Sequence, residues 1–248
     1  MQMSQCVYER PTRFLVSGCS FSCSSSSVTD INKNQYMWPD FLVNKHNFEI
    51  INNFAISGNG NTAIVQNLSW ALTSWSSVFS PEKTLIVFNI TGLDRLDLMA
   101  PASHPDINHS GSWSSALPFG WITSGGLLGR ASGKSQKIID SLYKNLGWEQ
   151  IIISNCLNLI NFIQRLKTEK YRFYFMLMDD QIVKDSPQFF LDFLQSNTDN
   201  WIRFDECLSM NAYGKKLDLL MDDNFHLTVQ GHKEISEQIS TKIINHFT

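Results

Sequence analysis

The stretch Arg13-Phe14-Leu15-Val16-Ser17-Gly18-Cys19-Ser20-Phe21-Ser22 organises the reading of the whole chain. Its short apolar run, residues 14–16, breaks off into small and hydroxylated residues. Such a run bounded by a turn signal reads as a buried strand, with residues 17–20 as its exit turn. In an open α/β sheet the ligand is held by the loops at the carboxyl ends of the strands, so Ser20 falls where chemistry is done. A serine there can act as a nucleophile if a base reaches it.

Outward from this stretch, strand and helix patterns alternate. Residues 49–53, 84–90, 171–178 and 201–204 read as further strands, and 84–90 is apolar almost throughout, as a central parallel strand should be. Helical signals open at Trp38-Pro39-Asp40, cover about 62–79, run from about 135 to 167 with a break near Gly147, and return at 189–195 and at the carboxyl end. The alternation predicts one three-layer α/β/α domain over residues 1–248, with a five-stranded parallel sheet. Residues 98–133 interrupt it with Pro, Ser, Gly and Trp, too long for an ordinary connection. Trp113, Phe119 and Trp121 on this excursion suggest a platform that grips a ring and excludes water, or else a surface loop packed by its own aromatics.

The far end of the chain supplies a base for Ser20. Asp223-Asn224-Phe225-His226 places a carboxylate three residues before an imidazole, on a loop that runs into the last helix. Asp223 can fold back onto one ring nitrogen and leave the other for Ser20, a Ser-Asp-His order along the chain. Asp222 adjoins Asp223 and could compete for the ring. His232, six residues beyond His226, points elsewhere and reads as structural.

These residues resemble the SGNH (GDSL-like) hydrolases. Gly18-Cys19-Ser20 is similar to the family's Gly-Asp-Ser block and Asp223 to His226 to its closing Asp-x-x-His block. Between them, Asn53-Phe54-Ala55-Ile56-Ser57-Gly58 resembles the second block, and Thr91-Gly92-Leu93-Asp94 falls where Gly-x-Asn belongs. The resemblance implies a flavodoxin-like SGNH fold, catalysis by Ser20, Asp223 and His226, and an oxyanion hole built from Ser20, Gly58 and the residue at 94. Cys19 stands for an Asp that the family uses as a support. Asp94 stands for an Asn whose amide helps to bind the oxyanion, and loss of one such donor costs about 100- to 1000-fold in turnover. A protonated Asp94, or a donor from Asn59, Asn61 or Arg95, could take its place. Asn59, Asn61, Arg95, Trp113 and Trp121 are the candidate substrate-binding residues. Gly58 can instead be read as a turn glycine, and Arg95 as a partner of Asp94 or Asp97.

The expected activity is ester hydrolysis, with an O-acetyl group on a carbohydrate as the substrate suggested by analogy. An acyltransferase using the same triad, or an impaired descendant that only binds a glycan, are the alternatives. Asp179 and Asp180 close a strand and, with Asp222, could hold a metal for phosphoester chemistry, but capping the next helix is the commoner use. His104 and His109 lie on the excursion without metal-ligand periodicity, so no metal and no cofactor are expected. The chain's 248 residues carry a net charge of −3 and no basic stripe, which gives no reason to expect nucleic acid. Five cysteines, Cys6, Cys19, Cys23, Cys156 and Cys207, are irregularly spaced and suggest a reducing cytoplasm rather than a disulfide framework. Val16-Ser17-Gly18-Cys19 mimics a lipoprotein cleavage box, but the apolar run before it falls short of the about 7 to 15 residues of an export segment. No run approaches the about 20 apolar residues that span a membrane.

Overall fold

The structure is a computed structural model that describes residues 10–22, 37–101, 103–104, 107, 117, 119–125, 128–129 and 133–244. Four parallel strands, β1 (Arg13–Ser17), β2 (Ile50–Asn53), β3 (Thr84–Ile90) and β7 (Arg172–Leu177), lie in the order β2-β1-β3-β7. The register pairs Phe14 with Ile51 on one side and with Leu85 on the other, and Phe88 with Phe175. Every residue of β3 is buried, as a strand covered on both faces requires.

The chain leaves β1 in one direction through α1 (Trp38–His46) to β2, then returns across β1 through α2 (Asn61–Ser74) to β3. Right-handed crossovers that move in opposite directions put their helices on opposite faces. Accordingly α1 packs against α7 (Val229–Ile244), and α2 against α3 (Gly133–Thr168). In the first pair His46 Nε2 lies 2.8 Å from Ser240 Oγ, and Lys45 pairs with Glu237. The two crossovers part between β1 and β3, and the crevice above their carboxyl ends is where open sheets of this kind hold ligands.

Two expectations are corrected. The fifth strand at 201–204 shrinks to an isolated parallel bridge, Phe175 to Trp201, followed by a second bridge from Leu177 to Ser209. Between them the chain turns at Asp205, with φ 52°, under a Phe204–Cys207 bridge, so no continuous ladder forms. The excursion is also not irregular throughout. β4 (Leu96–Pro101) and β5 (Phe119–Gly125) pair antiparallel, and β6 (Leu128–Gly129) extends the pairing into a small second sheet. Its apolar residues Ala100, Ile107 and Ile122 close on Ile139 of α3, forming a separate core cluster. The break in α3 falls at Gly147, where φ is 76°. The remaining helices are α4 (Gln181–Asp185), α5 (Gln188–Gln195) and α6 (Met210–Lys216). Among the described residues no helix is long and apolar enough to cross a membrane.

Candidate active site

Ser20 sits on the turn after β1, and Asn89 of β3 fixes the shape of that turn. Asn89 Oδ1 accepts from the Cys19 N–H at 3.2 Å and from the Ser22 hydroxyl at 2.7 Å, while its Nδ2 donates to Cys19 Sγ at 3.3 Å. Gly18 allows this approach, because a Cβ there would lie 1.8 Å from Asn89 Oδ1. Asn53 of β2 holds the other side, donating to the Ser22 carbonyl at 2.8 Å, and Trp38 Nε1 donates to the Ser22 hydroxyl at 3.1 Å. Cys19 is fully buried against Met178, with the sulfurs 3.4 Å apart.

The loop before α7 brings His226 to this turn. Asp223 Oδ1 accepts from the N–H groups of Phe225 (2.9 Å) and His226 (2.8 Å), which folds the loop into a tight turn with Asn224 at φ 55°. Asparagine tolerates that left-handed backbone better than most residues. The other carboxylate oxygen lies 2.5 Å from His226 Nδ1, and His226 Nε2 lies 3.0 Å from Ser20 Oγ. Because an ionised carboxylate only accepts, the ring proton sits on Nδ1 and the Nε2 lone pair faces the hydroxyl. Partial burial pushes the Asp223 carboxyl up, but hydrogen bonds from the His226 ring and from the two backbone N–H groups outweigh it and hold the pKa below its usual value. Phe21 stacks on the imidazole, with centroids 5.3 Å apart and planes at 28°, and Phe225 meets Phe21 edge-on. Of the two adjacent carboxylates, it is Asp223 that holds the ring.

Ser20 and His226 open onto a cavity of about 520 Å³. Ser57, Gly58, Gly92, Asp94 and Arg95 line one part of it, and Met178, Asp179, Gln181, Ile182, Asp185 and Phe225 another. Gly58 has φ 88°, a conformation that L side chains rarely adopt, and places its backbone at the cavity beside Ser20. Asp94 also reaches the cavity, on a loop clamped from behind. Asn155 of α3 donates to the Leu93 and Arg95 carbonyls at 2.7 and 2.8 Å, and the Tyr143 hydroxyl donates to the Asp94 carbonyl at 2.8 Å. Burial, with the negative charge of Asp94 beside it, pushes the Tyr143 pKa up to about 12, so it remains a donor.

The proposed substrate-binding residues separate sharply. Arg95 lines the cavity, but it is 8% exposed and spends one guanidinium N–H on the Asn59 carbonyl at 2.8 Å. Asn61 is wholly buried and structural: its amide donates to the Thr91 and Gly92 carbonyls and its oxygen accepts the Thr91 N–H at 2.9 Å. Asn59 is 2% exposed and lies outside the cavity lining, with its Nδ2 unpartnered among the described residues. Trp121 is also removed from the cavity, because β5 turns its ring inward, where Nε1 donates to Asn67 Oδ1 at 2.8 Å. Trp113 and His109 lie outside the described residues. Asp179 caps α4, accepting from the Gln181 N–H at 2.7 Å, and no metal-holding group of His, Cys, Asp or Glu occurs among the described residues.

Several site residues carried little signal in the sequence. Asn89 had one, a polar side chain in the otherwise apolar run Ile86-Val87-Phe88-Asn89-Ile90. Gln181 and Asp185 had none, because an exposed turn of helix reads the same whether it faces a cavity or open solvent. No protein-family model and no curated protein matches the sequence. Among solved structures the chain is similar to the psychrotrophic esterase EstA from Pseudoalteromonas sp., with 13% identity over 95% of this chain and 98% of that one, at a TM-score of 0.49. It is similar too to a member of the lipolytic protein G-D-S-L family from Veillonella parvula (9% identity, 92% and 96% covered, TM-score 0.45). A lipase/acylhydrolase from Enterococcus faecalis shows 12% identity over 94% of this chain and 96% of that one, at a TM-score of 0.45.

Proposed function

We propose that the protein is a serine esterase that cleaves carboxylic esters of small molecules. The observation that carries this reading is the continuous hydrogen-bonded line from Asp223 through His226 to Ser20 at the edge of a cavity. Ser20 Oγ attacks the ester carbonyl carbon as its proton passes to His226 Nε2. The imidazolium is held by Asp223 and then protonates the departing alcohol. Water, deprotonated by the same nitrogen, attacks the acyl-serine and releases the acid. The backbone N–H groups of Ser20 and Gly58 serve as oxyanion donors.

An acetylated saccharide remains the finer substrate proposal. Its support is no longer Trp121 but the α4 side of the cavity, where Asp179, Gln181 and Asp185 offer acceptors to hydroxyl groups. Transfer of the acyl group to a sugar hydroxyl would use the same residues. The position of Asp94 on the cavity favours a second reading, a descendant impaired in turnover that binds the same ligands. Cys156 and Cys207 are free thiols, which supports placing the protein in a reducing compartment, the cytoplasm.

Hydrolysis of p-nitrophenyl acetate by the intact protein, beside Ser20→Ala and His226→Ala, tests the mechanism. Turnover that both substitutions abolish is expected, and turnover indifferent to both would overturn the serine mechanism. Stable binding of acetylated oligosaccharide without turnover by the intact protein would favour the impaired binder. Release of acetate that falls as an acceptor alcohol is added, with acetylated acceptor as product, would favour transfer.

A further inference from the structure

The cavity beside Ser20 is lined by three carboxyl side chains, Asp94, Asp179 and Asp185, against one guanidinium, Arg95. Arg95 is the one Lys or Arg among the described lining residues, and even with Asp94 set against it, Asp179 and Asp185 add two further carboxylates to the lining. Neither takes part in an ion pair among the described residues. Their hydrogen bonds instead fix them in place. Gln181 donates its backbone N–H to Asp179 Oδ1 and its side-chain amide to Asp185 Oδ1, each at 2.7 Å. One oxygen of each carboxylate is thus spent on α4 itself. Lys184, on the same helix, does not line the cavity.

The cavity also has apolar lining. Met178, Ile182 and Phe225 share it with these carboxylates, and Phe225 is an aromatic ring of the kind that accepts a cation on its face. A pocket with a low-dielectric wall and charge of one sign concentrates ligands of the opposite sign and repels like charge. An organic cation satisfies both features at once, because its charge meets the carboxylates while its carbon atoms cover the apolar wall.

We propose that Asp179 and Asp185 determine specificity by charge, and that the preferred substrate is an ester carrying an ammonium group on its alcohol or acyl part. This rests on the esterase reading above and narrows its substrate class. Anionic esters are discriminated against at the same place.

The test compares two isosteric acetates at low ionic strength, 2-(trimethylammonio)ethyl acetate and the neutral 3,3-dimethylbutyl acetate, with Ser20→Ala as the blank. The expected result is a kcat/KM ratio of about tenfold or more in favour of the cation, residing mainly in KM. The ratio should shrink as salt is raised, since these groups stand at a solvent-open wall. It should also fall toward one in Asp179→Asn combined with Asp185→Asn, substitutions that keep the oxygens accepting from Gln181. Ser20-dependent turnover with equal kcat/KM for the two esters, or with a preference that the double substitution leaves intact, would overturn the charge proposal and leave the esterase standing. No Ser20-dependent turnover of either ester would overturn both.

Discussion

Asp94 and Gly58 line the same cavity as Ser20, and in the proposed esterase mechanism Asp94 would offer acceptors where a developing oxyanion needs donors. Asp94→Asn should therefore raise kcat toward p-nitrophenyl acetate by about 10- to 100-fold, a fraction of what one well-placed donor can supply. A fall in kcat would show that Asp94 has a different task. Asp223→Asn should act in the opposite direction. Its Oδ1 can still accept the Phe225 and His226 N–H groups and keep the loop folded. An amide nitrogen facing His226 Nδ1 would impose the wrong tautomer, with a loss in kcat of about 10⁴-fold as in serine proteases. Stopped-flow and steady-state rates beside an unchanged thermal midpoint would separate this from unfolding. Asp223 and His226 were legible in the sequence because a spacing of three residues on a turn brings a carboxylate to an imidazole. Asn61 and Trp121 were not, because polarity and aromaticity look the same whether a side chain faces a ligand or the core.

The helix α2 begins at Asn61, three residues after Gly58, and its N-terminus is capped from outside the helix. Gly60, the N-cap residue, has no side chain, and Asp97 of β4 supplies the acceptors instead, taking the Gly60 N–H at 3.0 Å and the Ala63 N–H at 2.8 Å. Thr123 of β5 donates to the same carboxylate at 2.5 Å. Asp97→Ala would leave helix N–H groups buried without partners, at a cost of about 1–3 kcal/mol in urea unfolding. It should also lower kcat, because the turn holding Gly58 loses its anchor. Thr123→Val, which removes one of the three donors, should cost less, about 1 kcal/mol. Stability loss with kcat intact would show that the Gly58 turn is fixed without Asp97. Residues 98–133 read as an excursion because Pro, Ser, Gly and Trp break their periodicity, and the cap of α2 was illegible because a cap is looked for at the helix's own first residue. Here the acceptor is 37 positions away, and only pairing of β4 with β5 delivers it.

Across the whole molecule, the packing of α7 leaves its mark on acid stability. His232 is 3% exposed, with Nδ1 unpartnered among the described residues. Burial, with His226 nearby, pulls its pKa from 6.5 down to about 3. The unfolded chain takes up that proton near 6.5 and the folded chain resists it, so this contribution is complete above 6.5 and is lost as pH falls toward 3. The slope is up to about 1.4 kcal/mol per pH unit. Burial raises the pKa of Asp97, so that group gains stability as pH falls, in the opposite sense to His232, and the readout is the difference between proteins. Urea unfolding at pH 7.5, 5.5 and 4.5 should show His232→Gln losing less stability with acid than the parent, and parallel losses would place the acid sensitivity elsewhere. The sequence alone determined the run of parallel strands, the small-residue turn at Ser20 and the Asp223–His226 turn, because period, apolar run length and short spacing are local and each fixes an element or a turn. The tertiary structure decided what spacing cannot encode. It brought Ser20 within 3.0 Å of His226 across 206 positions, buried Asn61 and Trp121, ended the sheet at four strands, and set Asp179 and Asp185 on the same cavity as Ser20. Those outcomes depend on which distant surfaces close on one another, and the free energy of that closure belongs to the assembled core rather than to any one stretch.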